Sequence, residues 1–318
     1  MMDQAGTLRS MVERKGRAGS GGSDKGGGKE TQLGESQKSQ VQVIAVTSGK
    51  GGVGKTNVVV NLGYALTKLN KRVLLLDADI GLANIDVLLG LSPMYNLQHV
   101  LNGEKSILEI VIPGPGGIKI LPASFGIQEL SDLSRAQKLC LLSELNSLHD
   151  DTDVLLIDTS AGISSNVMYF NLAAQEILIV VSPEPTSITG AYAMMKVLFL
   201  KYSKNHFKLL VNSVKNAGEA KEVFNNLSLV GQKFLNLSID YWGYIEQDEH
   251  VVKAVRKQKP LVELYPHSPA SRCFSDLAKK VCENRPSDGS RGNIHFFWNQ
   301  IIENPRTLPL EMSKIYPE

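Results

Sequence analysis

The residues with the clearest capacity for chemistry form a glycine-rich loop that ends at Thr56. Gly49, Gly54, Lys55 and Thr56 satisfy the pattern G-x-x-x-x-G-K-[ST]. In such a loop the backbone N–H groups turn inward to hold phosphate, the lysine adds a positive charge, and the threonine hydroxyl can bind Mg²⁺. We therefore predict that the loop binds a nucleoside triphosphate. Its candidate nucleotide-binding residues are Gly49, Lys50, Gly51, Gly52, Val53, Gly54, Lys55, Thr56 and Asn57.

The segments on either side of the loop fit the same chemistry. Residues 41–46 are a short apolar run interrupted only by Gln42, which predicts a buried strand, and residues 58–69 carry an apolar stripe with helical spacing. A helix that starts at the end of the loop presents unpaired N–H groups and its positive dipole end to the phosphates. The alternative is a glycine-rich turn that binds nothing. It is disfavoured because four fixed positions stand between a strand and a helix.

Three acids follow apolar runs that are typical of buried strands. Asp158 ends the run Val-Leu-Leu-Ile-Asp, and we predict that it holds Mg²⁺ together with Thr56, partly through water. The alternative for Asp158 is an aspartate that caps the next helix. Asp77 and Asp79 follow the run 73–76 and are expected to point to the same side. At least one of them is predicted to reach the γ-phosphate region, and the pattern does not decide which.

An amide side chain is a candidate for contact with the base. Asn212 follows the apolar run 209–211, and its side chain carries both an acceptor and donors for the edge of adenine or guanine. Guanine-specific sites usually carry Asn-Lys-x-Asp, whereas this chain continues as Ser-Val-Lys after Asn212. Because the acid is missing, the sequence favours ATP over GTP, with Mg²⁺ as its cofactor.

The elements that position these residues alternate between strand and helix patterns. Strands without polar alternation are buried on both faces, which predicts a mostly parallel sheet with helices on each side. The fold class is therefore α/β: a P-loop NTPase with a mostly parallel, twisted sheet of about seven or eight strands. Ligands of such sheets bind at the carboxyl ends of the strands. Strands are predicted at 41–46, 73–76, 118–121, 154–157, 177–181, 209–211 and 239–245, and the longer helices at 133–148, 163–174, 188–203, 217–230, 249–257 and 270–283.

Composition narrows the class of protein further. The chain has 318 residues, a formal net charge of +2 and three cysteines without a C-x-x-C pair. The near-neutral charge gives no support for nucleic-acid binding, and the cysteines do not favour a metal cluster. No apolar run approaches the roughly 20 residues of a membrane span. We expect a cytoplasmic protein that contacts a membrane only at its surface.

The N-terminal segment has an unusual composition. Residues 1–15 carry a short helical stripe, and residues 16–40 form a polar linker rich in Gly, Ser and Lys. The pattern alone leaves two interpretations open: a partner-binding element on a flexible tether, or a tail with accidental apolar residues.

The C-terminal segment contains an amphipathic helix pattern over residues 292–303, followed by a tail at 304–318. Its apolar face suits a membrane interface, but its polar face lacks the Lys and Arg that anionic lipid favours. A helix docked on the domain is therefore an equal alternative from the residues alone. The apolar face consists of Ile294, Phe297, Trp298, Ile301 and Ile302.

Three motifs in order resemble the MinD/ParA-type ATPases. Residues 50–56 are similar to their deviant Walker A motif, residues 74–86 to their second motif, and residues 155–163 to their Walker B and switch II segments. The similarity covers roughly residues 41–282. It implies a regulatory ATPase that slowly converts ATP and water to ADP and phosphate, and that dimerises when ATP is bound.

The same resemblance implies roles for individual residues. Lys50 would reach the ATP of the second subunit across a face-to-face homodimer, and Asp79 would position the attacking water. Asp158 would be the Walker B acid, and Asn212 would contact adenine. Relatives often have proline at the position of Glu246, beside the base.

The N-terminus resembles the FlhG family of MinD-like regulators of flagellar number and placement, through the pattern D-Q-A-x-x-L-R. In that family the element stimulates the GTPase of FlhF, a signal-recognition-particle-type protein. The resemblance implies a partner-activating segment at 1–15, an ATPase domain at 41–285 and a C-terminal helix that anchors reversibly to the membrane. The residues that carry the pattern are Asp3, Gln4, Ala5, Leu8 and Arg9.

The resemblance also implies further partners and a location. These are flagellar switch-complex proteins, a flagellar transcription activator, and the inner face of the cytoplasmic membrane, at the cell pole. Two other functions stay open: a MinD-type ATPase for placing the division site, and a non-catalytic binding module that restrains the transcription activator.

Overall fold

The computed structural model describes residues 41–79, 84–122, 132–284 and 294–303. The predicted N-terminal element at 1–15, the linker at 16–40 and the tail at 304–318 lie outside the described residues.

A single eight-stranded sheet forms the centre of the described structure, in the order β3-β4-β2-β5-β1-β6-β7-β8. All neighbouring strands pair in parallel except β3, which is antiparallel to β4. This confirms the predicted α/β class and the mostly parallel sheet. The strands are β1 (Gln42–Ser48), β2 (Val73–Ala78), β3 (Ile112–Pro113), β4 (Lys119–Pro122), β5 (Val154–Ala161), β6 (Glu176–Val181), β7 (His206–Val214) and β8 (Ser238–Glu246).

Helices cover both faces of the sheet. The α-helices are α1 (Lys55–Lys68), α2 (Ile85–Leu89), α3 (Leu97–Leu101), α4 (Ile107–Ile110), α5 (Arg135–Asn146), α6 (Ser165–Ala173), α7 (Pro185–Tyr202), α8 (Ala217–Leu235), α9 (Glu249–Arg256), α10 (Leu261–Leu264), α11 (Pro269–Glu283) and α12 (Ile294–Glu303).

The apolar strands divide the core between the two faces. Along β1, Ile44 and Val46 pack with helices α1 and α11, whereas Val43 and Ala45 pack on the opposite face with α5, α6 and α12. A third cluster lies between β6, β7 and helices α7 and α8. Successive side chains of a strand point to opposite faces, so an unbroken apolar run supplies both layers at once.

Several strands extend beyond the predicted limits. β5 continues to Ala161, so Asp158 lies inside the strand rather than at its end, and β7 spans nine residues instead of the predicted three. Polar residues at the strand ends still pair with the neighbouring strands through the backbone. They were not predicted as strand because the prediction relied on apolar side chains. Helix α5 is shorter than predicted because Ser134 caps its N-terminus in a capping box with Gln137.

The amphipathic helix α12 is docked on the domain in this structure. The five predicted apolar residues are at most 4% exposed and pack into the core shared with α5 and α6. The hydroxyl of Tyr169 on α6 donates to the carbonyl oxygen of Ile301 on α12. The structure therefore shows the docked alternative. Among the described residues, no helix is long and apolar enough to cross a membrane.

Two adjacent phenylalanines of α12 test this docking. Phe297 is fully buried, whereas Phe296 is 36% exposed. We expect Phe297→Ala to lower the free energy of unfolding by about 3–5 kcal/mol, because it removes a buried ring and leaves a cavity. Phe296→Ala is the matched control and should change it by less than about 1 kcal/mol. The measurement is urea unfolding followed by circular dichroism, and equal effects of the two substitutions would contradict the docking.

Candidate nucleotide-binding site

The glycine-rich loop connects β1 to α1 and closes the carboxyl edge of the sheet. Gly54 occupies the left-handed region at φ 87° and is the N-cap of α1, with no side-chain cap on the helix. A Cβ at Gly54 would also lie 2.5 Å from Nδ2 of Asn212. Both constraints favour glycine at this position, and they leave the first N–H groups of α1 open toward a phosphate.

Gly49 has a structural role that its place in the motif does not reveal. A Cβ at Gly49 would lie 2.0 Å from the carbonyl carbon of Gly190 on α7, and a Cβ at Gly190 would lie 2.8 Å from the carbonyl oxygen of Gly49. The loop and the helix therefore touch backbone to backbone. Sequence analysis missed Gly190, and the available signal was a glycine inside a helical pattern, which often marks close packing.

The side chains of Lys55 and Asp158 form a buried ion pair beneath the loop. Nζ of Lys55 lies 2.7 Å from Oδ1 of Asp158, and their side chains are 7% and 0% exposed. Burial raises the pKa of Asp158, and the ammonium of Lys55 and the hydroxyl of Thr56 oppose that rise. The other oxygen, Oδ2, is buried without a hydrogen-bond partner in the described structure. This buried acceptor is suited to bind a cation or a metal-bound water.

The residues beneath the loop fit Mg²⁺ bound together with a nucleotide. A hard divalent cation prefers oxygen ligands, and it usually keeps several waters and binds substrate phosphates. Thr56 supplies a hydroxyl, and Oδ2 of Asp158 supplies an acceptor for a metal-bound water. The described residues include no cluster of three or more His, Cys, Asp or Glu side chains that could hold a metal.

The structure distinguishes the roles of Asp77 and Asp79, which the sequence pattern left undecided. Asp77 is buried, and its carboxylate accepts hydrogen bonds from the backbone N–H groups of Asp79, Asn84 and Ile85 at 3.0–3.2 Å. Burial is the main reason that the pKa of Asp77 rises to about 6; the nearby charge of Asp158 adds to the rise, and the three N–H groups oppose it. Asp77 therefore holds the start of α2.

Asp79 lies one residue beyond the end of β2 and faces the cleft. It lines a cavity of about 550 Å³ together with Lys55 and Thr56. Ser160 donates to Oδ1 at 2.5 Å, and the amide of Asn84 donates to Oδ2 at 3.0 Å. Of the two acids, Asp79 is the one with access to a bound triphosphate.

Lys50 stands on the rim of the cleft. Its Nζ donates to Oε2 of Glu184 at 2.6 Å and to the hydroxyl of Thr186 at 2.8 Å, at the start of α7. The side chains of Lys50 and Glu184 are 40% and 63% exposed. An exposed ion pair of this kind contributes little to stability, so Lys50 can exchange partners at low cost.

A larger cavity of about 920 Å³ lies beside the loop, and Asn212 lines it together with Glu246 and Val252. The amide of Asn212 donates from Nδ2 to the carbonyl oxygen of Val53 at 2.7 Å. One N–H of the amide is used in this way, so Asn212 keeps its second N–H and its Oδ1 for a ligand. Glu246, which replaces a common proline, brings a carboxylate to the same cavity.

The sheet thus brings most of the predicted site residues to one edge. Gly51, Gly52, Val53, Gly54 and Asn57 line both cavities. Gly49 lines neither, because it faces α7. The residues of α12 that were predicted to contact a membrane pack into the core, and the N-terminal residues from Asp3 to Arg9 lie outside the described residues.

Comparisons with known proteins show the family of this chain. A family model described as an AAA domain matches residues 41–209. The antiactivator FleN of Pseudomonas aeruginosa is 45% identical over 267 residues, which cover 84% of this chain and 95% of FleN. The flagellum site-determining protein YlxH of Helicobacter pylori is 34% identical over 242 residues, which cover 76% and 82% of the two chains.

A solved structure shows the same fold. A chain of the MinC:MinD cell division protein complex of Aquifex aeolicus is 30% identical and superposes with a TM-score of 0.60, covering 79% of this chain and all of the other. The chain therefore belongs to the MinD/ParA-type P-loop ATPases.

Proposed function

We propose that this protein is an ATP-dependent dimerising switch that regulates the number and placement of flagella. The observation that carries the switch is the position of Lys50. Its ammonium lies at the exposed rim of the nucleotide cleft. Within the described residues, its hydrogen bonds are those to Glu184 and Thr186. Such a lysine can turn outward to the ATP of a second subunit without breaking a buried interaction.

The chemistry assigned to the site is hydrolysis of ATP to ADP and phosphate. Lys55 leaves Asp158 and turns to the phosphates, and the N–H groups of the loop and of α1 hold them in place. Thr56 and Asp158 would hold Mg²⁺, partly through water, and the ion would supply positive charge to the phosphates. Asp79 orients the attacking water from the opposite wall of the cleft. Slow turnover suits a regulatory switch, because the ATP-bound dimer must persist long enough to act.

The base is assigned as adenine. One N–H of Asn212 donates to Val53, which leaves the second N–H and Oδ1 for the ligand. The amide can therefore pair with the exocyclic amino group of adenine or with the carbonyl oxygen of guanine. The missing acid after Asn212 favours adenine, because guanine-specific sites usually carry Asn-Lys-x-Asp.

The proposed cycle includes reversible contact with the membrane. Helix α12 buries five apolar side chains against the domain, so the docked state satisfies them without lipid. Dimerisation with ATP would shift the equilibrium toward release of α12, which would then insert its apolar face at the inner surface of the cytoplasmic membrane, at the cell pole. The cycle ends when hydrolysis separates the dimer.

Substitution of Asp79 tests the switch directly. We expect Asp79→Ala to bind ATP but to hydrolyse it at least about a hundredfold more slowly, because the attacking water loses its orienting group. The variant should therefore accumulate as a dimer with ATP and sediment with anionic lipid vesicles. The measurements are phosphate release, analytical ultracentrifugation and vesicle co-sedimentation.

Lys50→Ala is the matched control, because it leaves Asp79 in place and removes the residue assigned to the second subunit. It should bind ATP and remain monomeric. An ATP-bound Asp79→Ala monomer that does not sediment with vesicles would contradict the switch.

The proposed output is flagellar. The relatives named FleN and YlxH are an antiactivator and a flagellum site-determining protein. The N-terminal pattern supports an FlhF-type GTPase as the partner of residues 1–15. The name of FleN supports a flagellar transcription activator as a second partner. Flagellar switch-complex proteins are the third proposed class of partner.

Deletion of residues 1–15 separates an enzyme activator from a simple binding module. We expect the deletion to abolish stimulation of the partner GTPase and to leave ATP affinity within about twofold, since the described residues that line the two cavities lie between Ser48 and Phe274. A deletion of residues 16–30, which shortens only the predicted linker, is the control and should keep most of the stimulation. The readout is the partner's GTP turnover with each variant. Unchanged stimulation without residues 1–15 would favour a module that restrains a transcription activator without acting on a GTPase.

A further inference from the structure

Asp79 is held by two donors that come from different parts of the fold. Ser160 in β5 donates its hydroxyl proton to Oδ1 at 2.5 Å, and Asn84 at the start of α2 donates its amide to Oδ2 at 3.0 Å. A hydrogen bond from a hydroxyl to a carboxylate is charge-assisted and short at this distance. Each oxygen of the carboxylate thus has one fixed contact.

Both donors are themselves anchored. The backbone N–H of Asn84 donates to Asp77 at 3.0 Å, so the amide extends from a fixed point. On the other side, the strand that carries Ser160 is held by Thr159, whose hydroxyl contacts the hydroxyl of Thr47 at 3.0 Å. The N–H of Gly162 also donates to the carbonyl oxygen of Ser48, at 2.9 Å.

The register of the sheet explains why these groups meet. Asp77 is opposite Asp158 and Ala78 is opposite Thr159 in the parallel pair of β2 and β5. Asp79 and Ser160 are the next residues along the two chains. The parallel register therefore places the carboxylate and the hydroxyl side by side. Their contact follows from the backbone and does not require a special loop.

We propose that Ser160 is a positioning residue for the carboxylate of Asp79, with Asn84 as the second support. This inference rests on the proposed function, in which Asp79 orients the attacking water. The terminal torsion of an aspartate has broad minima, so an unsupported carboxylate samples many orientations. Two donors, one on each oxygen, restrict that torsion and hold the carboxylate at the cavity that Lys55 and Thr56 also line. Alanine or glycine at position 160 provides no such donor, whereas threonine does.

Steady-state kinetics on three variants test the proposal. Ser160→Ala should lower kcat about tenfold, because it removes one charge-assisted hydrogen bond that acts on the reacting geometry. The affinity for ATP should stay within about twofold, because the phosphate contacts remain. Ser160→Thr restores the hydroxyl and should keep most of the activity. Ser165→Ala changes an exposed serine of the same segment and should behave as the wild-type protein.

A double substitution shows whether Ser160 acts through Asp79. In an Asp79→Ala background, adding Ser160→Ala should cause no further loss, because the group that Ser160 positions is already absent. Thermal unfolding of the nucleotide-free proteins accompanies the kinetics, since a purely structural role would lower stability without separating kcat from ATP affinity.

These experiments distinguish a failure of the role of Ser160 from a failure of the proposed function. If Asp79→Ala is fully active, the role of Asp79 fails and the role of Ser160 fails with it. If Asp79→Ala is inactive while Ser160→Ala keeps normal or higher kcat, or if Ser160→Thr is as slow as Ser160→Ala, only the positioning role is overturned.

Discussion

The buried ion pair of Lys55 and Asp158 is the interaction on which the nucleotide site depends. The lysine comes from the first turn of α1, the acid comes from the central strand β5, and both are almost inaccessible to solvent. Removing either partner would leave the other charge buried and uncompensated, which is strongly unfavourable. We therefore propose that a triphosphate draws Lys55 away when Asp158 gains another positive partner, which couples binding of the nucleotide to binding of its cation.

The surrounding fold keeps this pair in reach of the other site residues. Parallel strands deliver Asp77, Asp79, Asp158 and Asn212 to one edge, and the backbone contact between Gly49 and Gly190 sets the loop directly on α7. The same helix α7 holds Lys50 through its first turn. The loop that carries Lys50 and the segment that carries Asp79 thus belong to different elements that meet at one cleft.

Much of this arrangement was predictable from the sequence because its signals are local. The loop pattern, the apolar runs and the acids that follow them identified the fold and most of the cleft residues. The residue pattern alone did not separate Asp77 from Asp79, because both follow the same apolar run; the structure shows that Asp77 is buried and that Asp79 lines the cleft. The position of α12 was undecided for a different reason: an apolar stripe fits a protein core and a lipid surface equally well. Gly190 and Gly49 are far apart in sequence. A glycine inside a helix can indicate close packing, but the sequence does not show which residue packs against it.

The most direct measurement is the affinity for ATP with and without Mg²⁺, for the wild-type protein and for Asp158→Asn. Equilibrium titration at a low temperature, where both proteins are folded, provides the four dissociation constants. If Lys55 must leave Asp158 to bind phosphate, Mg²⁺ should strengthen ATP binding to the wild-type protein by about tenfold or more, and Asp158→Asn should lose most of that gain. Equal dependence on Mg²⁺ in the two proteins would contradict the exchange of partners at Asp158.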